Sequence, residues 1–111
     1  MSRSTPVIID GVKFDSKAEG RRYQELCLLE QADEIHHLKC HPRFELFNTF
    51  KNVAGKTVRG AHYTADFQYY EGMDCIVEDV KSPASRTQVY QLRVRLFQWT
   101  YPLIFFREVE A

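Results

Sequence analysis

Between Tyr63 and Lys81 the chain reads YTADFQYYEGMDCIVEDVK, two alternating runs on either side of Glu71-Gly72-Met73-Asp74. Alternation around such a turn predicts a β-hairpin. With Tyr70 and Cys75 closing the turn, pairing continues as Gln68 with Val77 and Asp66 with Asp79, and Thr64 then faces Lys81. The two-residue side-chain period sends Asp79 and Lys81 to one face and Glu78 to the other. Carboxylates directly opposite each other lie roughly 5 Å apart and repel. Something should offset that repulsion, and a divalent cation is the obvious candidate. Hard cations such as Mg²⁺ take one or two protein carboxylates and leave their remaining positions to water and phosphate. Lys81, on the same face, is placed to hold a nucleophilic water or a phosphate oxygen. An Asp followed across a hairpin by Asp-Val-Lys therefore suits metal-assisted phosphodiester cleavage. The same residues also fit an ordinary half-solvated sheet face, because D-x-K triplets are common and a motif acquires meaning only from its context.

The rest of the chain sets bounds on that reading. Its 111 residues suffice for one core with little room for a second module. The expected organisation is an N-terminal arm over residues 1–9 and a single domain over residues 10–111. No stretch approaches the roughly 18 apolar residues of a membrane span, and no apolar signal region opens the chain. Cys27, Cys40 and Cys75, without a C-x-x-C pair, do not make a disulfide framework, which points to a reducing cytoplasm. Fifteen basic residues balance fifteen acidic ones. That balance argues against a coating, non-specific nucleic-acid binder, but it admits an enzyme whose acidic site offsets a basic groove.

Asp10-Gly11 is a turn signal that joins Val7–Ile9 to Val12–Phe14 in a small hairpin. Ser16 and Glu19 then form an S-x-x-E capping box that starts a helix running to about Ala32, with Tyr23, Leu26, Cys27 and Leu29 inward. Glu19 has two readings, as the box partner or as a further metal ligand projecting from the first turn. Residues 35–47 read as extended, with Pro42 at an edge or kink. His36, His37, Cys40 and His41 lack the second half of a zinc site, so surface histidines are expected there. Residues 48–62 read as a long hairpin connection anchored by Phe50, Val53 and Val58; its Lys51, Lys56 and Arg59 can reach a phosphate backbone. Ser85-x-x-Gln88 is expected to open a second helix, apolar on a broad face (Val89, Leu92, Leu96 and Trp99; Tyr90, Val94, Phe97 and Tyr101) and packed on a sheet. Arg86, in its first turn, is expected near the acidic site. Leu103–Phe106 reads as a strand covered on both faces.

In order these elements are helix, three strands, helix and strand. With Glu19, Asp66 and Asp79-Val80-Lys81, the chain resembles the PD-(D/E)XK nuclease superfamily, and in detail its small, mostly phage-encoded members. The phrases that carry the resemblance are GVKFDSKAEGRRYQEL, HPRFELF, YTADFQYY, VEDVKS and YPLIFFREV, which span most of residues 10–109. Ala65 stands where the superfamily usually has proline. The resemblance implies a single-domain, restriction-endonuclease-like αβββαβ core with a mixed sheet between two helices. It implies Asp66, Asp79 and Glu19 as ligands of Mg²⁺, with Mn²⁺ substituting, and Lys81 as the residue that orients the attacking water. Arg86, Gln88 and Tyr90 fall where members place accessory polar residues. The implied activity is a DNA endonuclease of a bacteriophage, in the cytoplasm of a bacterial host, acting on branched or replication and recombination intermediates beside phage replication or recombination proteins. Resolving a junction would need a homodimer. The competing expectation is a non-catalytic DNA- or protein-binding phage accessory module that keeps the fold.

Overall fold

The computed structural model describes residues 5–111, and readings that fall on residues 1–4 lie outside it. Strands β1 (Val7–Ile9) and β2 (Val12–Phe14) form the expected hairpin, with Ile9 opposite Val12. Val7 and Ile9 pack against the core, so this part of the expected arm belongs to the domain. The hairpin lies against helix α1 (Lys17–Gln31) at Gly20, where a Cβ would come within 2.8 Å of Val7 Cγ2. A larger residue there would require the Val7 and Ile9 side chains to shift. Ser16 caps α1 by accepting the Glu19 amide at 3.2 Å.

Next come β3 (His36–Cys40) and β4 (Arg43–Phe47), which continue each other through a bend at His41-Pro42. Two short strands, β5 (Phe50–Lys51) and β6 (Thr57–Val58), pair within the expected connection. The chain returns through β7 (Ala61–Thr64), opposite β4, and β8 (Phe67–Glu71), opposite β3. A long antiparallel ribbon is thus bent at matching points on both strands. Across the bend, the Ala65 amide reaches Pro42 O and the His41 amide reaches Asp66 O.

Strand β9 (Asp74–Lys81) pairs with β8 in the register read from sequence, with Tyr70 opposite Cys75 and Gln68 opposite Val77. The ladder stops at Phe67 and Glu78, however, so Asp66 and Asp79 are not a ladder pair. Helix α2 (Gln88–Thr100) follows, and strand β10 (Phe105–Glu110) runs parallel to β9, completing a sheet ordered β10-β9-β8-β3. The fold is a mixed α/β sheet with a helix on either side, as expected. Leu26, Phe67, Ile76 and Val80 form the core beneath α1. Val77, Tyr63, Val94 and Phe97 form the core beneath α2.

Three expectations need correction. Helix α2 is capped by Thr87, which accepts the Tyr90 amide, while Ser82 and Ser85 close a separate 3₁₀ turn over Pro83–Ser85. Proline at the head of that turn and the extended backbone of Thr87 move the helix start two residues later. Only one of the two α2 stripes is core: Val94 and Phe97 are buried, whereas Trp99 is 81 % exposed and Val89 and Leu92 are also exposed. Finally, β10 lies at the edge of the sheet, so Leu103 and Phe105 are exposed and not covered on both faces.

Candidate metal centre

The bend in the long ribbon brings the acidic residues together. At Asp66 the chain leaves the β4–β7 ribbon for the main sheet, and its amide donates both to Glu78 O at 3.1 Å and to Asp79 Oδ1 at 2.9 Å. In return, Asp66 Oδ2 accepts the Val80 amide at 2.7 Å. The two acids are therefore fixed by each other's strand, and each side chain takes over where the backbone ladder ends. Tyr63, buried one strand segment back, donates its hydroxyl to Asp79 Oδ2. Asp79 thus arrives at the site already oriented.

Glu19 reaches the same place from the first turn of α1. The capping box is only half present: the Ser16 oxygen takes the Glu19 amide, but the glutamate side chain meets the Ser16 hydroxyl at 3.5 Å and does not return to the Ser16 amide. Its Oε1 is buried without a hydrogen-bond partner among the described residues. Buried carboxylate oxygens are seldom left in that state, because desolvation without a partner is costly. Glu19, His41 and Asp66 each offer a ligand atom, all within 4.8 Å of one another.

The electrostatics agree with that crowding. Burial pushes the Asp66 carboxyl up to about 7, with Glu19 adding to the rise and Lys81 opposing it. Burial likewise raises Asp79 to about 6, against the hydrogen bond from Tyr63. Glu19 is raised by burial too, and Asp15 adds to it. Three acids that burial strips of part of their water and that the chain only partly neutralises attract protons or a cation. The donor set of carboxylate oxygens with one imidazole nitrogen fits Mn²⁺, and its oxygens also fit Mg²⁺.

Lys81 lies on the same face as Asp79, as expected, with its ammonium 4.3 Å from the centre of the Tyr90 ring. It lines an open cleft of about 400 Å³ together with Glu19, His62, Asp66, Asp79 and Arg93. Glu78 points to the other side of the sheet, where Arg22 holds it through two bonds of 2.8 and 2.7 Å and Tyr69 donates to it. The acid adjacent in sequence to Asp79 is thus structural.

A family profile described as "Protein of unknown function (DUF1064)" matches residues 2–109. The chain belongs to this family. No curated protein and no solved structure matches it. In this DUF1064 chain, Glu19, Asp66, Asp79 and Lys81 line one cleft, but the side chains whose ligand atoms converge within 4.8 Å are Glu19, His41 and Asp66, with His41 where Asp79 was expected. Arg86 lies elsewhere: it pairs with Glu108 at 3.0 Å and lines a neighbouring cavity that shares only Lys81 with the cleft. Gln88 is exposed at the head of α2, while Lys51, Lys56 and Arg59 are exposed on the ribbon's far end.

Two residues of the DUF1064 site escaped sequence reasoning. His41 was expected among surface histidines; its positive φ of 53° at the bend instead turns it towards Glu19 and Asp66. The proline that follows it signalled a kink but not this rotation, since a residue before proline is ordinarily extended and the left-handed φ of His41 runs against that preference. His36 and His37 do remain exposed. Tyr63 was read as the start of an alternating strand, and nothing in that alternation distinguishes a tyrosine that serves a carboxylate from one that only fills a core.

Proposed function

We propose that this chain is a metal-dependent DNA endonuclease that hydrolyses phosphodiester bonds with Mg²⁺ or Mn²⁺ at Glu19, Asp66 and Asp79. The observation that carries the reading is the buried, partnerless Glu19 Oε1 beside Asp66 and His41. An acid that served only as a helix cap would bond the backbone it caps. The order of helices and strands, and the positions of Glu19, Asp66, Asp79 and Lys81, agree with the PD-(D/E)XK resemblance.

A divalent cation at these oxygens supplies Lewis acidity towards a phosphodiester and relieves the repulsion among the acids. The chain's own residues do the rest. Tyr63 and the Asp66 amide each hold one oxygen of Asp79 and so fix its carboxylate in the cleft wall. The Val80 amide orients Asp66 in the same way. His41 adds a nitrogen that favours Mn²⁺ over Mg²⁺. Lys81, steadied over Tyr90, orients a water for attack or holds a non-bridging phosphate oxygen as charge develops on it.

A second reading, a non-catalytic binding module that keeps the fold, has one observation in its favour. Leu92 and Trp99, seven residues apart and so on one face of α2, are both exposed, and exposed apolar side chains on one face suit a protein contact. The two separate on a panel of blunt duplex, single-stranded, flap and four-way-junction DNA, incubated with Mg²⁺, Mn²⁺ or EDTA. Cleavage that needs metal and disappears in Asp79→Ala supports the nuclease. Intact DNA under every condition overturns it.

A further inference from the structure

The bent ribbon does more than carry Asp66 and His41 to the cleft. Residues 42–64 hold Arg43, Lys51, Lys56 and Arg59 against the single acid Glu45, a balance of +3 in a chain whose net charge is zero. The remainder, with its acidic site, therefore carries −3. Among the described residues, Lys51, Lys56 and Arg59 enter no ion pair; Arg43 meets only Glu45, at 3.4 Å. This charge asymmetry lies on one element.

The element is also built to stand out from the core. Every residue from Phe47 to Thr57 is exposed. Phe50 and Val53 were expected to anchor the connection, yet Phe50 is 50 % exposed and Val53 fully so. A bulge after Glu45 leaves Phe47 44 % exposed, its ring 6.3 Å from that of Phe50. The tip is nonetheless well made. Asn52 Oδ1 accepts the Ala54 and Lys56 amides at 3.0 and 3.1 Å. At its base, Gly60 lies where a Cβ would be 2.5 Å from Phe47 O, so the two strands close tightly only with glycine there.

The ribbon's outer face leads to the cleft. Arg43 is opposite Thr64, and Glu45 is opposite His62, with all four side chains exposed. His62 lines both the acidic cleft and a cavity of about 530 Å³ shared with Arg43, Thr49 and Arg59. The two cavities thus join Lys81 and Arg93, through His62, to Arg43 and Arg59, and the β5–β6 tip that bears Lys51 and Lys56 follows along the chain.

We infer that β4–β7 with its β5–β6 tip is a nucleic-acid arm: it tracks the phosphates of a strand leading into the cleft and selects strands with accessible bases. Unpaired basic side chains neutralise phosphates, and exposed phenylalanines interleaved with them stack on unpaired bases of any sequence. An acidic protein surface would answer the charge, but it would leave the paired rings of Phe47 and Phe50 without a counterpart. The inference extends the nuclease reading by naming the form of its substrate, a strand not fully paired.

The test is fluorescence anisotropy of labelled single-stranded, forked and blunt-duplex DNA, in EDTA so that no cleavage contributes. The expected result is tighter binding of the single-stranded and forked forms than of blunt duplex. Neutralising Lys51, Lys56 and Arg59 together to Gln should lower the slope of log K against log salt by roughly two to three. Phe47→Ala with Phe50→Ala should weaken single-strand binding roughly tenfold or more, because a stacked base is worth about that much. Both variants should keep the wild-type circular dichroism spectrum, since the altered side chains are exposed. An unchanged salt slope, equal affinity for blunt duplex, or polyglutamate competing as well as DNA would each overturn the inference. Failure of the nuclease reading looks different: DNA binding through the arm persists, but no metal condition produces cleavage.

Discussion

Asp66 and Asp79 each accept a backbone amide from the other's strand: Asp79 Oδ1 takes the Asp66 amide at 2.9 Å, and Asp66 Oδ2 takes the Val80 amide at 2.7 Å. Two carboxylates that repel are thereby locked together where the β8–β9 ladder ends. The backbone compensates part of their desolvation and leaves their outward lone pairs for another partner.

Relieving that tension should be visible in stability. Asp79→Asn keeps an oxygen for the Asp66 amide and lets the Tyr63 hydroxyl accept from the new amide, while removing a buried charge. Without metal at mildly alkaline pH, we expect a gain of roughly 1–2 kcal/mol, or about 5–10 °C in melting temperature. With saturating Mn²⁺ the order should reverse, because only the wild type gains from the ion. A metal-free Asp79→Asn that melts below wild type would count against the repulsion.

The acids also set a pH dependence. Burial raises Asp66 to about 7 and Asp79 to about 6, both above the unfolded 3.8. A raised carboxyl holds its proton longer in the folded chain. Its contribution is therefore fully present below about pH 4 and is lost as pH rises through about 6 to 7. Urea unfolding in EDTA should show the protein losing on the order of a few kcal/mol across that window. Saturating Mg²⁺ should flatten the dependence. Stability that rises from pH 4 to pH 7 in EDTA would contradict the assignment.

On the opposite side of the sheet, Glu78 is fully buried and held by two of the three Arg22 guanidinium nitrogens. Arg22→Met would leave this buried charge with only the Tyr69 hydroxyl and the more distant Arg107, at 4.0 Å, at a cost of up to roughly 3–5 kcal/mol. Adding Glu78→Gln should restore much of the loss. Urea midpoints of the single and double variants give the answer, and an equal loss in both would show that packing, not charge, is at stake.

Lys81→Ala should separate chemistry from metal binding. The ammonium lies over Tyr90 and beside the acids without being a ligand, so Mn²⁺ affinity should change by less than about threefold. Turnover should fall roughly 10²- to 10³-fold, as when a single group that stabilises developing charge is removed. Cleavage near the wild-type rate would make Lys81 a surface charge.

Much of this was legible because hairpin register is local. The Glu71–Asp74 turn fixed which residues oppose, and the period of two put Asp79 and Lys81 on one face and Glu78 on the other. What the alternation could not show was the bend. A strand that leaves one ribbon for another at Asp66, and its partner that does the same at His41-Pro42, turns a ladder pair into a reciprocal one and recruits His41. Helix periodicity had a similar limit. Both α2 stripes are apolar, and only packing decides that Val94 and Phe97 are core while Trp99 faces outward. The exposure of Leu103 and Phe105 follows from strand order, which no local pattern encodes.

The most direct test of the central claim, that Glu19, Asp66 and Asp79 form a divalent-cation site, is a calorimetric titration of the metal-free protein with Mn²⁺ at neutral pH, beside Glu19→Gln. Saturable binding with proton release is expected, since the raised acids must give up protons to the ion, with an affinity roughly tenfold or more weaker in Glu19→Gln. Wild type that takes up no Mn²⁺, or a Glu19→Gln protein that binds it as tightly, would contradict the account and return Glu19 to the role of a helix cap.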